Sequence, residues 1–269
     1  NDVVHIKPKC VFPIDDFSIL PFLMDHSSPE AYAFLITAEG KKLFYTGDFR
    51  FHGNKGDKLK HILSDARIKN CDVMLVEGTN MGPGRGEPDT EQALRDKIVT
   101  FVSESKRLVI GVASSQNIDR YASFFSAAIQ SGRTLVIDEY AAYILDKMKR
   151  VTNRLPGIEH ENVRVITWYM KGLPISFLKQ AKEKKIDFKE ILENPSGYLL
   201  LTRLSYFVNK IKLNEPADAI YSQWEGYLRE PNPQKGVVEY NQLRDSGTIH
   251  HKVMHTIGHL SLIHISEPT

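Results

Sequence analysis

Two short polar clusters carry residue types that do chemistry. Asp25-His26-Ser27 closes an apolar run at 17–24, and Thr46-Gly47-Asp48 closes another at 42–46. If those runs are neighbouring strands, the His26 imidazole and the Asp48 carboxylate come side by side. That pair suits zinc or manganese, and a carboxylate can bridge two metal ions. Taken alone, each cluster also reads as a solvated loop or an ordinary turn. A third apolar run, 72–76, ends on Glu77-Gly78-Thr79-Asn80. Farther along, Ser114, Ser115 and Arg120 follow a strand and open a helix. Backbone N–H groups and the positive helix end favour a phosphate there, and Arg120 can add a bidentate contact. Capping by Ser115 beside a surface arginine fits the same residues. Trp224 and Tyr227 offer faces on which bases stack, although packing in a core or interface is the commoner use. Lys182, Lys184, Lys185 and Lys189 would steer a nucleic-acid backbone or simply solvate a helix face.

The elements that must position these groups follow from hydrophobic patterning. Strand-like runs at 31–37 and 42–46 flank Ala38-Glu39-Gly40-Lys41, where Gly40 can take the positive φ of a tight hairpin. Three strands that finish in polar clusters describe a sheet whose site lies at strand ends. Residues 81–89 turn to Gly, Pro and charge, a linker or crossing loop, after which a helix opens near Thr90. Strand and helix then alternate: strands at 107–112, 133–137, 163–168, 198–202 and 218–221, helices at 117–130 and 141–150. Such alternation implies a parallel sheet wrapped by helices, so the fold class is α/β.

Composition sets outer limits. The 269 residues suffice for one large or two modest domains, and 42% hydrophobic with 25% charged residues is ordinary for a globular chain. With 35 basic against 33 acidic residues, any nucleic-acid contact must come from a local patch. Cys10 and Cys71 lack metal-module spacing. With no apolar run of spanning length and no signal-peptide pattern, the expectation is a cytoplasmic protein without membrane contact.

Together, Asp25-His26-Ser27-Ser28-Pro29-Glu30-Ala31-Tyr32, Phe44-Tyr45-Thr46-Gly47-Asp48-Phe49-Arg50 and Leu75-Val76-Glu77-Gly78-Thr79-Asn80 resemble the metallo-β-lactamase superfamily. Within it they are most similar to the β-CASP nucleic-acid hydrolases of the ribonuclease J-like group. The resemblance continues, in the family's order, through Ala113-Ser114-Ser115-Gln116-Asn117-Ile118-Asp119-Arg120, Ile220-Tyr221-Ser222-Gln223-Trp224-Glu225-Gly226-Tyr227 and His255-Thr256-Ile257-Gly258-His259. It departs at Ile257, where the family usually has serine.

The resemblance implies part of an αββα sandwich at 1–85, an inserted β-CASP parallel-sheet domain at 86–245 and a return toward the active site at 246–259. Residues 260–269 read as an in-frame translation of a sequencing adapter. It implies His26 as a ligand of one zinc and Asp48 as the carboxylate bridging two zinc ions, with manganese as an alternative. Glu77 and His259 would be the acid–base pair: the carboxylate orients the imidazole, which protonates the leaving oxygen. Ser115 and Arg120 would hold a substrate phosphate. The reaction implied is metal-dependent cleavage of RNA or another nucleic acid. The other readings are hydrolysis of a small ester or thioester, and a non-catalytic RNA-binding paralogue. The family's His-x-His-x-Asp-His cluster and its final histidine ligand do not occur among the 269 residues. The chain is therefore expected to be an interior piece of a longer hydrolase, holding zinc poorly and inactive by itself.

Overall fold

The structure is a computed structural model that describes residues 5–28, 30–79, 88–149, 155–168, 172–229 and 234–256. Most of the expected linker, together with His259, Ile257 and 260–269, lies outside the described residues. Two units emerge, one reaching to Gln92 and one running Ala93–Thr256.

The first unit holds a five-stranded sheet in sequence order, β1 (Phe12–Ile14), β2 (Phe17–Leu23), β3 (Tyr32–Ala38), β4 (Lys41–Tyr45) and β5 (Val73–Leu75). Its pairs are antiparallel except β4 with β5, which run parallel. Two helices, α1 (Gly56–Leu63) and α2 (Ala66–Lys69), supply the crossover that a parallel pair requires. Alternation along each strand sends Leu20, Phe22, Ala33, Leu35 and Phe44 to one face, where they bury against Leu59, Ile62 and Ile68 of the helices. Asp65 caps α2 by accepting from the Arg67 amide, and hydrogen bonds from Arg67 hold its carboxyl down to about 2. The β3–β4 hairpin turns on Glu39 and Gly40, both at positive φ, as a twist-matched two-residue turn demands. The opposite face carries one apolar residue from every strand in register: Phe12, Ile19, Ile36, Leu43 and Val73. Val73, Met74, Leu75 and Val76 remain about half exposed.

The second unit is a seven-stranded, wholly parallel sheet. In chain order its strands are β6 (Val109–Val112), β7 (Thr134–Asp138), β8 (Val163–Ile166), β9 (Lys185–Ile186), β10 (Tyr198–Thr202), β11 (Ala217–Tyr221) and β12 (Ile249–Val253). Their spatial order is β12-β11-β6-β10-β7-β8-β9. One face packs on α3 (Glu91–Glu104), α4 (Ile118–Gln130), α5 (Glu139–Met148) and α6 (Ile175–Glu183). The other packs on α7 (Phe188–Glu193) and α8 (Val237–Asp245). Coverage on both faces explains why β6 and β11 are buried at every residue, with no alternation of polar side chains. β12 pairs in parallel with β11, so the segment expected to leave this domain after residue 245 is a strand of its sheet.

Candidate active site

In the first unit the strand-tip clusters are drawn together by one buried cation. Arg50, two residues beyond Asp48, is 1% exposed. Its Nη1 donates to Glu91 Oε1 at 2.7 Å, and its Nε lies 3.6 Å from Asp25 Oδ1. The Arg50 amide donates to the Asp25 carbonyl at 2.8 Å, and the Gly53 amide to Asp25 Oδ2 at 2.8 Å. The loop bearing His26 is thereby tied to the loop bearing Asp48. Since a buried charge without a partner is expensive, the arginine fixes the geometry of both tips.

Asp48 and Glu77 come to one place. Both line an open cleft of about 390 Å³ at the ends of β4 and β5, with Tyr45, Leu75 and Val76. Glu77 Oε1 accepts from the Phe49 amide at 2.8 Å, and the Glu77 amide donates to Thr46 Oγ1 at 3.3 Å. Glu77 thus braces the loop that presents the exposed Asp48. Gly47 makes that loop possible: its φ is +57°, and an added Cβ would come 3.0 Å from the Tyr32 carbonyl oxygen. His26 is half-buried in the β2–β3 connection and is not one of the residues lining the cleft.

His26 and Asp48 supply one imidazole and one carboxylate, donors that zinc accepts. Among the described residues, no group of three or more His, Cys, Asp or Glu comes close enough to hold a metal ion.

In the second unit, Asn117 caps α4 by accepting from the Arg120 amide at 3.1 Å, so Ser115 is not the cap. Ser114, Ser115 and Thr202 line a cavity of about 10 Å³ where β6 and β10 end, room for about one water. Arg120 departs from the expected phosphate clamp. It is fully buried, and its Nη1 donates to Ser222 Oγ and, at 3.1 Å, to the Met254 carbonyl, joining the segments that follow β11 and β12. The physical reason is helix phase: Arg120 shares the inward stripe of α4 with Phe124 and Ala127. Arg120→Met, which keeps bulk and removes the hydrogen bonds, is expected to lower stability by about 2–3 kcal/mol. Both tryptophans lie in this unit, so urea unfolding followed by their fluorescence reads the loss directly. A change below about 0.5 kcal/mol would show that Arg120 does not hold the segments after β11 and β12 together.

Trp224 is 57% exposed, with Tyr227 half-buried and edge-on at 5.2 Å, so Trp224 does not pack in the core of this unit. Within the lysine run, Lys185 meets Asp187 at 2.7 Å, Lys189 meets Glu193 at 3.7 Å and Lys184 Nζ donates to the His160 carbonyl. No described helix is long and apolar enough to cross a membrane.

The fold these units define is mixed α/β with a parallel sheet flanked by helices. A solved protein of unknown function from Enterococcus faecalis V583 is similar over 97% of this chain and 57% of its own length, with a TM-score of 0.73 and 20% identity. By sequence, the chain is 23% identical over 140 residues to a protein named ribonuclease J from Mycoplasma genitalium, a match covering 51% of this chain and 24% of the relative. The chain thus spans about a quarter of that relative's length. No protein-family model matches it.

Proposed function

We propose that this chain is part of a longer metal-dependent hydrolase of the metallo-β-lactamase superfamily, a β-CASP nuclease that cleaves RNA phosphodiester bonds. The observation that carries the reading is the cleft where β4 and β5 end: Glu77 braces the Phe49 amide and so sets the exposed Asp48 beside it. The similarity to a protein named ribonuclease J supports RNA as the substrate class. In this reading His26 and Asp48 are two ligands of a zinc pair whose other ligands lie outside the described residues. When bound, such a pair supplies hydroxide at neutral pH. Glu77 acts as a positioning residue for the Asp48 loop and, with His259, as the acid–base pair. In this reading Ser115, which is not the cap of α4, contacts a substrate phosphate near the end of β6.

The test is a parallel assay of the longer protein on a single-stranded RNA and on a small thioester. Cleavage of the RNA with the thioester left intact is expected. Thioester hydrolysis without RNA cleavage would move the protein to the small-substrate class, and RNA binding without hydrolysis of either to the non-catalytic one.

A further inference from the structure

Four neighbouring parallel strands, β6, β10, β7 and β8, deliver a second set of side chains to their carboxyl ends, none of them used by the hydrolytic reading. The Arg203 guanidinium lies 4.7 Å from the ring centroids of both Tyr140 and Tyr206, and its Nη2 donates to the Tyr206 hydroxyl at 2.5 Å. Trp168 rests against Tyr206 with centroids 4.3 Å apart. Beneath them, buried Asp138 places Oδ2 3.5 Å from Arg203 Nε. Both carboxylate oxygens of buried Glu139 accept from the Trp168 amide, at 3.0 and 3.1 Å. Gln116, in the connection after β6, donates to the Tyr140 hydroxyl at 3.4 Å.

Burial raises the Asp138 carboxyl, partly offset by Arg203 and by the Tyr140 and Ala141 amides at the start of α5. Among the described residues of this rim, the carboxylates of Asp138 and Glu139 lie beside the single guanidinium of Arg203. Arg203 is nonetheless 26% exposed on its side chain, and Tyr140, Tyr206 and Trp168 are each only half-buried, so the ring cluster reaches solvent.

We propose that this carboxyl-end rim binds an unpaired nucleobase, stacked on the Trp168–Tyr206–Tyr140 cluster and held by Arg203. Ligands of parallel α/β sheets bind outside the carboxyl ends of the strands. Every base presents a π-face, and aromatic and guanidinium groups stack on it without sequence preference. Among the described residues, the carboxylates beside Arg203 disfavour a phosphate there and leave the ring faces for a base. The inference rests on the nucleic-acid part of the hydrolase reading and needs neither metal nor cleavage.

The test uses the whole chain carrying Trp224→Phe, an exposed position, so that Trp168 is its one tryptophan. Fluorescence is titrated in EDTA, at fixed low salt, with a single-stranded oligoadenylate, with AMP and with a base-paired duplex of equal length. Quenching by the oligoadenylate is expected, at nucleotide concentrations well below those AMP requires, while the duplex leaves Trp168 unquenched. Quenching by AMP alone would place a free nucleotide on the same rim and still support base stacking. Adding Arg203→Lys, which keeps the charge facing Asp138 and removes the planar face, is expected to weaken binding at least about fivefold under conditions where far-ultraviolet circular dichroism shows the variant folded. No quenching by either ligand, equal quenching by the duplex, or unchanged affinity in the lysine variant would overturn the proposal. Because EDTA removes catalysis, quenching without any later RNA cleavage by the longer protein would sink the nuclease reading alone.

Discussion

Arg50→Ala is expected to destabilise the first unit by about 3–5 kcal/mol, because it leaves the buried carboxylates of Asp25 and Glu91 without the cation between them. The effect is local in origin and wide in consequence. Asp25 adjoins His26, and Arg50 follows Asp48 by two residues, so the same loss releases both strand-tip loops. Urea unfolding followed by far-ultraviolet circular dichroism should show a lower midpoint. Amide exchange at Gly53, whose N–H is held by Asp25, should accelerate. Arg50→Lys should recover part of the loss, since it restores the charge without the fork. A midpoint within about 1 kcal/mol of the parent would show that the ion network does not position the tips.

The sequence carried the sheets well and their wrapping less well. The run at 198–202 is β10 residue for residue, and the apolar strands of the second unit were legible because burial on both faces leaves unbroken Leu, Ile and Val. Helices α1 and α6 were not foreseen. α1 follows Gly53 and Asn54 and opens on Gly56, and α6 begins just after Pro174, so breaker residues mask the amphipathic face. β12 reads as polar because it begins Ile249-His250-His251, yet its parallel register with β11 is complete. At the site, the meeting of Asp48 with Glu77 followed from strand-end logic, since β4 and β5 finish side by side. The partnership of Arg50 with Glu91 spans 41 residues and leaves no local signal. Arg120 did leave one. Its three- and four-residue spacing to Ser123 and Phe124 places it on the inward stripe, a pattern outweighed by its resemblance to a phosphate-binding helix start. The rim around Arg203 was missed because its members come from four separate strand ends and converge only in the folded sheet.

Asp48→Asn in the proposed longer hydrolase is expected to have the largest effect on its activity. The amide keeps the shape of the side chain and its place in the cleft, while removing the charge that a metal-bridging ligand must carry. Asp48 is exposed on a loop fixed by Glu77, Gly47 and Arg50, none of which is altered, so stability should change by no more than about 0.5 kcal/mol. Cleavage should fall by about 10³-fold or more, the scale of losing a metal-activated nucleophile. The decisive measurement is the single-turnover cleavage of a 5′-labelled single-stranded RNA by the longer protein and its Asp48→Asn variant, each with bound metal counted. Chelator-sensitive cleavage by the parent is expected and, in the folded variant, loss of both cleavage and bound metal. Cleavage by the variant at the parent's rate, or by the parent in the presence of chelator, would contradict it.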